Sequence, residues 1–194
     1  MLFLRFALSL SPMNETRKYL NQYAMRLGTY MGVFWILKFC LIPLGMTRPF
    51  LMLLFIGLTL CVPFMGFYYG RLYRDRVLGG NISFGHAWLF SFIMYIYASL
   101  LVGAAHYVYF AFIDQGYLID IYTQTLDRLE AAPQVLPTES YIPQLREALE
   151  VVAGLSPISL TMQLMSNNNF YGMILSVISA ALLRRNVPET KKEE

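Results

Sequence analysis

Long apolar segments separated by short polar ones dominate the pattern of this chain. Crossing a hydrocarbon core of about 30 Å takes roughly 20 mostly apolar residues at the helical rise of about 1.5 Å per residue. Four windows meet this length, at residues 27–46, 50–70, 84–113 and 158–183. The pattern therefore predicts an all-α polytopic membrane protein, with four transmembrane helices in a single domain over residues 1–194.

The fourth window is the least apolar of the four. Gln163, Ser166 and Asn167–Asn169 lie in its first half, and its strongly apolar part, Phe170–Leu183, is short for a complete span. We therefore expect the helix to continue through the asparagines.

Residues 114–157, between the third and fourth windows, have a different pattern. Apolar residues at helical spacing predict two helices, and Pro133 and Pro137 interrupt them, since proline breaks a helix interior. The apolar positions are Leu118, Ile121, Tyr122, Leu126 and Leu129 in the first helix, and Leu145, Leu149, Val152 and Leu155 in the second. The segment has a net charge of about −5. It is either a hairpin that packs on itself and on the bundle mouth, or a docking surface for a basic partner or head group.

Composition agrees with a membrane environment. Charged residues make up 14% of the chain and hydrophobic residues 57%, whereas soluble domains carry about 25% charged residues. The net charge is +3, but the basic residues are scattered between apolar runs, which disfavours nucleic-acid binding. Cys40 and Cys61 lie inside apolar runs and form no disulfide or zinc spacing. We expect no metal and no cofactor.

The distribution of Lys and Arg predicts the orientation of the spans, since these residues are retained on the cytoplasmic side. With the N-terminus inside, the inner segments carry Arg5, Arg17, Lys18, Arg26, Arg71, Arg74, Arg76, Arg184, Arg185, Lys191 and Lys192, and the outer ones carry Arg48, Arg128 and Arg146. Both termini are therefore predicted to be cytoplasmic, in a bacterial inner membrane, with residues 114–157 outside.

The first residues lack the features of a cleaved signal peptide. Their apolar part is short, Arg5 interrupts it, and no small-residue cleavage pattern follows. Met13 is an alternative start of translation, which would make residues 1–12 an upstream artefact; otherwise they form an interfacial tail.

Polar residues inside the predicted spans are the candidate functional residues. A lysine in the middle of a span costs about 2.5–3.5 kcal/mol, so Lys38 needs compensation. At the helical rise Lys38 lies about 12 Å from the outer end of its span, His106 about 10 Å and Asn167–Asn169 about 14–17 Å. These similar depths on three spans predict a polar cluster, which Ser99 and Tyr95 can join along one face of the third span.

The cluster has two interpretations. Its predicted depth contains no acidic residue, so a charged Lys38 would suit an anion such as a lipid phosphate or a carboxylate. The alternative is structural: Lys38 extends to the outer head groups, or hydrogen-bonds to Asn and Tyr side chains. His86 and His106 are about 30 Å apart on one helix and cannot share a metal.

Two pairs of glycines have the spacing of close helix contacts. Gly28 and Gly32 lie in the inner half of the first span, and Gly66 and Gly70 in the inner half of the second. Small residues at this spacing let helix backbones approach closely. An antiparallel hairpin sets the pairs at one depth, where they serve internal packing or, alternatively, a homo-oligomer interface.

The inner loop between the second and third spans is basic. Its sequence RLYRDR, residues 71–76, can hold anionic head groups of membrane lipids. Ser83 follows as a candidate helix N-cap, because its side chain can accept a hydrogen bond from a free backbone N–H.

The chain resembles a bacterial integral-membrane family defined as domain of unknown function 4199. The resemblance lies in MNETRKYLNQYAMRLG before the first span, YYGRLYRDRVLGGNISFGHAWLFSF between the second and third, the outer helical insertion and the closing ILSVISAALLRR. It covers about Met13 to Arg185. It implies a small four-span inner-membrane protein with an accessory role beside a membrane-associated glycosyltransferase, and it implies no active-site residues.

Two functions follow from these features. The first is a non-enzymatic accessory or scaffold subunit that contacts another inner-membrane protein. The second is a small binder or transporter of an anionic or lipid-like ligand, with Lys38, His106 and Asn167–Asn169 as its site. An enzyme is disfavoured, because no acid, base and nucleophile occur at a recognisable spacing.

Overall fold

The structure is a computed structural model that describes residues 2–131 and 141–185, with side chains from residue 19 onward. Its helices are α1 (Leu2–Gly45), α2 (Pro49–Val77), α3 (Phe84–Val108), α4 (Tyr117–Ala131), α5 (Ile142–Ala153) and α6 (Pro157–Leu183), and a π-helical segment, Tyr109–Ile113, continues α3. The predicted break at Pro133 and Pro137 lies outside the described residues, as do Met1, Lys191 and Lys192.

In the described part of the chain, three segments are long and apolar enough to cross a membrane: Tyr19–Gly45, Pro49–Val77 and Phe84–Ile113. A fourth is added if α5 and α6, whose axes bend by 118° at a short break, count together as one span. Residues 2–131 and 141–185 contain no β-strand. The predicted all-α polytopic fold is confirmed.

Helix α6 runs antiparallel to α3 in the bundle. The Ser99 hydroxyl of α3 donates a hydrogen bond to the Met165 carbonyl of α6 at 3.3 Å, and Gly172 lies against Tyr95, a turn nearer the start of α3. The 27 residues of α6 extend about 40 Å at the helical rise, enough to cross a bilayer. Its low hydropathy comes in part from side chains that are buried in the bundle, Ser176 and Ser179 among them.

Helix α3 is the centre of the bundle. Half of its most apolar window is buried, compared with 28% for α1 and 11% for α2, because α1 and α6 both pack along it. Its fully buried residues recur at helical spacing and include Phe90, Met94, Tyr95 and Ala98. Helix α2 packs mainly against α1 and α6 and leaves most of its surface exposed on the outside of the bundle.

The glycine pairs pack internally, each against a partner outside the α1–α2 contact. A Cβ at Gly28 would lie 2.5 Å from the carbonyl oxygen of Met94 in α3. Gly32 also lies against α3, whereas Gly66 lies against Tyr95 and Gly70 against Leu183 of α6. The close approaches expected of small residues thus join α1 and α2 to their neighbours in the bundle.

One end of the bundle, which we call the basic end, is held by contacts between α2, α3 and α6. Ile82 and Arg185 form a two-bond backbone bridge, with N···O distances of 3.1 and 3.2 Å. Gly79 and Gly80 end α2 with φ angles of +64° and +91°, which glycine adopts without strain. Ser83 caps α3 by accepting the His86 N–H at 3.4 Å, as predicted.

The opposite end carries the helical hairpin of α4 and α5, and we call it the hairpin end. Leu118, Leu126 and Ile142 are buried there, and α4 and α5 pack against each other. Arg146 of α5 forms ion pairs with Asp127 and Glu130 of α4, both at 2.9 Å. The hairpin is therefore held by its own core and by charge pairing on its surface.

Candidate ligand site in the bundle

Three of the predicted polar residues line one cavity near the hairpin end. Lys38 of α1, His106 of α3 and Asn168 of α6 surround a space of about 170 Å³. Apolar side chains complete the wall: Trp35, Phe39, Ile42, Phe55, Val102 and Leu164. Residues at similar predicted depth on three helices thus meet around one space.

Lys38 is held by aromatic rings. Its Nζ lies 5.9 Å from the ring centroid of Trp35 and 5.4 Å from that of Phe55. Within residues 19–131 and 141–185 it forms no ion pair with a carboxylate. The ammonium group therefore borders the cavity with ring faces as its charge-stabilising contacts.

His106 is 5% exposed, and its Nδ1 has no hydrogen-bond partner among the described residues. Its ring packs edge-on against Phe39, with 4.1 Å between centroids. His86 has a different environment at the basic end, where Tyr73 Oη lies 2.9 Å from its Nε2. The two histidines are thus in separate parts of the bundle, and only His106 faces the cavity.

Trp35 also lines the cavity, and its indole nitrogen is a second buried polar atom without a partner in the part of the chain that the structure describes. It is 7% exposed, and its Nε1 has no hydrogen-bond partner in the described chain. Its ring stacks on Tyr95, with centroids 6.1 Å apart and planes 19° apart. Trp35 was not among the residues predicted from the sequence, although its position three residues before Lys38 places both on one face of α1.

The other predicted residues do not line the cavity. Asn167 is exposed on α6, and the Oδ1 of Asn169 is buried without a hydrogen-bond partner in residues 19–131 and 141–185. Ser99 uses its hydroxyl to bind the backbone of α6. Of the asparagine triplet, Asn168 is therefore the residue that reaches the cavity.

A second cavity of about 430 Å³ adjoins the first and shares Trp35, Lys38 and Asn168 with it. The rest of its wall comes from α2 and α6: Thr59, Val62, Pro63, Tyr171, Gly172, Ile174 and Leu175. This wall is mostly apolar, so the polar groups gather where the two cavities meet.

The polar side chains that line the first cavity can each donate a hydrogen bond. The Lys38 ammonium group only donates, and the Asn168 amide and the His106 ring can each donate through a nitrogen. Donors in an apolar wall suit a group with several acceptor oxygens, such as a carboxylate or a phosphate. The arrangement can therefore hold an anion.

Comparison with curated proteins and with solved structures gave no match. A family model described as a protein of unknown function matches residues 26–185, most of the chain. The chain therefore belongs to that family, DUF4199.

Proposed function

We propose that this membrane protein binds an anionic group in the half of its bundle nearest the hairpin end, with Lys38 as the cationic contact. The observation that carries the proposal is the position of Lys38 on the wall of the 170 Å³ cavity with His106 and Asn168. The ligand chemistry is a carboxylate or phosphate, which a lipid head group and a small soluble anion share.

The energetics of Lys38 support this proposal. An ammonium group within a span costs about 2.5–3.5 kcal/mol. A cation–π contact returns about 0.5–2 kcal/mol and weakens towards a distance of about 6 Å, and both contacts of Lys38 are longer than 5 Å. At roughly 0.5 kcal/mol for each contact, the rings leave most of the cost uncompensated, and a bound anion would offset it.

Trp35 offers a direct test, because it borders the cavity and the chain has two tryptophans. In a Trp88→Phe background, Trp35 is the only indole fluorophore. Titration with sodium butyrate and with inorganic phosphate in dodecylmaltoside should change its emission with saturation. The change should be retained in Lys38→Arg.

Lys38→Met should weaken this binding by roughly ten- to a hundredfold, which corresponds to the loss of one charge-assisted hydrogen bond. Arg71→Met is the matched control, because Arg71 pairs with Asp75 on the surface of α2 and does not line the cavity. Equal affinity of Lys38→Met and the unchanged protein for both anions would contradict the proposal.

A second candidate function is an accessory or scaffold subunit for another inner-membrane protein. The hairpin supports it: Glu130, Glu147 and Glu150 are exposed beyond the apolar bundle. The family resemblance points to a partner such as a membrane-associated glycosyltransferase. The internal packing of the four glycines weakens the case for a homo-oligomer built on them.

Affinity purification from native membranes in mild detergent, followed by mass spectrometry, tests the accessory role. The same integral-membrane protein should be recovered repeatedly with the unchanged chain and lost after charge reversal of Glu147 and Glu150. Recovery of the chain alone would contradict an accessory role.

The location that fits these functions is a bacterial inner membrane, with both termini in the cytoplasm and the hairpin outside. The positions of the flanking Lys and Arg residues support this orientation. It would place the anion site in the outer half of the bilayer.

A further inference from the structure

The two cavities of the bundle meet at the same three side chains. Trp35, Lys38 and Asn168 line both the 170 Å³ and the 430 Å³ space. These side chains form the boundary between the two spaces, so a ligand that contacts Lys38 borders both cavities.

The larger cavity reaches the surface of the bundle between α2 and α6. Tyr171 is 63% exposed and Ile174 43% exposed on α6, and Thr59 is exposed on α2. These helices face lipid at that surface, because α2 lies in a candidate span and α6 runs beside α3. The cavity therefore opens sideways, towards the hydrocarbon of the bilayer.

The wall of this opening suits a hydrocarbon chain. Val62, Pro63 and Leu175 are apolar, and the Thr59 hydroxyl donates to the Phe55 carbonyl at 2.8 Å, so its polar atom is already paired. A dry cavity of about 150 Å³ accommodates benzene, so 430 Å³ has room for a considerably longer apolar group. The 170 Å³ cavity has the size of a single head group.

We infer that the two cavities form one site for an anionic amphiphile that enters from the bilayer between α2 and α6. The anionic head binds beside Lys38, Trp35 and His106, and the hydrocarbon chain lies along Pro63 and Leu175. This inference rests on the proposed anion binding and adds its ligand class and its route. A soluble anion from water would use the small cavity and leave the apolar one unused.

Three probes distinguish binding of the anionic head group from binding of the hydrocarbon chain. Dibromostearate carries both an anionic head and an apolar chain, dibromostearyl alcohol carries the chain alone, and butyrate carries the head alone. Bromine quenches indole fluorescence on contact, and Trp35 is shielded from bulk lipid by its 7% exposure. The protein with Trp88→Phe, in phosphatidylcholine nanodiscs, therefore reports on chains that enter the site.

The expected result is saturable quenching of Trp35 by dibromostearate, with an affinity that falls roughly ten- to a hundredfold in Lys38→Met. Dibromostearyl alcohol should quench weakly and independently of Lys38. Thr59→Phe should reduce quenching by dibromostearate at least several-fold, because the ring fills the opening, and should leave the response to butyrate unchanged.

Leu60→Phe is the matched control. Leu60 is 65% exposed on α2 and does not line the cavity, so quenching should be unchanged. If Thr59→Phe does not fold, Ile174→Phe on the opposite rim gives the same test from α6.

The outcomes distinguish the two proposals. A Lys38-dependent response to butyrate, with no quenching by dibromostearate or no effect of Thr59→Phe, would overturn the lateral amphiphile site and retain the anion site. Equal quenching by the acid and the alcohol would also overturn the amphiphile site. No Lys38-dependent response to any probe would overturn both.

Discussion

The guanidinium of Arg74 donates a hydrogen bond to the carbonyl oxygen of Leu183 at 3.2 Å, and so joins the end of α2 to the last turn of α6. Arg74 is 8% exposed, and its Nε lies 2.7 Å from Asp75 Oδ1. The last carbonyls of a helix lack intrahelical partners. A side chain from α2 therefore satisfies one of those of α6.

Loss of this contact should destabilise the basic end. Arg74→Met removes a buried charged donor, and we expect the free energy of unfolding to fall by about 1.5–3 kcal/mol. Denaturant unfolding in detergent measures the change. Arg71→Met is the control: its ion pair with Asp75 is on the surface, so its loss should cost under about 1 kcal/mol. An equal loss in both variants would contradict the role of the Leu183 contact.

A methyl group at Gly28 should disrupt the contact between α1 and α3. The added Cβ would lie 2.5 Å from the Met94 carbonyl oxygen and 2.7 Å from Tyr97 Cβ. We expect Gly28→Ala to destabilise the protein by about 1–3 kcal/mol through overpacking, measured by thermal unfolding in detergent.

Gly57→Ala is the matched glycine control. No atom lies within 4 Å of an added Cβ at Gly57, and alanine stabilises a helix relative to glycine by about 0.5–1 kcal/mol. Its unfolding temperature should stay constant or rise. A similar fall in both variants would show that the effect of Gly28→Ala is unrelated to α3.

The contact between α4 and α5 should loosen when Arg146 is replaced. Hydrogen bonds to Asp127 and Glu130 raise the pKa of Arg146 above its usual value. A raised folded-state pKa contributes stability that is fully present below the unfolded pKa and is lost only as pH rises through the folded one. For an arginine that loss begins above about pH 12, so the charge of Arg146 persists through the neutral range.

Arg146→Met should therefore increase the distance between spin labels on α4 and α5 at neutral pH, whereas the unchanged protein keeps one distance from about pH 6 to 10. Added salt should weaken the contact, because the ion pairs are exposed. Arg128→Met is the control, since Arg128 forms no ion pair within residues 19–131 and 141–185. An unchanged distance in Arg146→Met would contradict this role.

Cysteine labelling tests the proposed orientation. In a background with Cys40 and Cys61 replaced by alanine, Thr47→Cys at the hairpin end should react in intact cells with a membrane-impermeant maleimide. Arg76→Cys at the basic end should react only after the membrane is permeabilised. The reverse pattern would show that the hairpin faces the cytoplasm.

The polar cluster could be predicted from the sequence only in part. Depth along a helix follows from residue count, and it placed Lys38, His106 and Asn168 at similar levels. The direction in which a side chain points around the helix axis depends on the neighbouring helices, so depth could not separate Asn168 from Asn167. Phe55 could have been predicted as a neighbour of Lys38. Both residues lie about two helical turns from the turn that joins α1 and α2, so they are at similar depth.

For the glycine pairs, too, the sequence predicted the close packing but did not identify the partner helices. Their spacing indicated close helix packing, and the structure shows it at Gly28 and Gly66. The partner helices did not follow from the spacing, because α3 and α6 follow later in the chain and occupy the space beside both pairs. Average hydropathy likewise undervalued α6, since it counts Ser176 and Ser179 as polar although both are buried.

The backbone bridge between Ile82 and Arg185 has a mechanical consequence. With its two bonds and the nearby clamp of Arg74 on Leu183, α6 is fastened at one end to the loop after α2. A movement that separates α2 from α6 must then rotate about a hinge at that end. The distance between the two helices then increases with distance from the hinge. It is therefore greater beside Thr59 than beside Gly70.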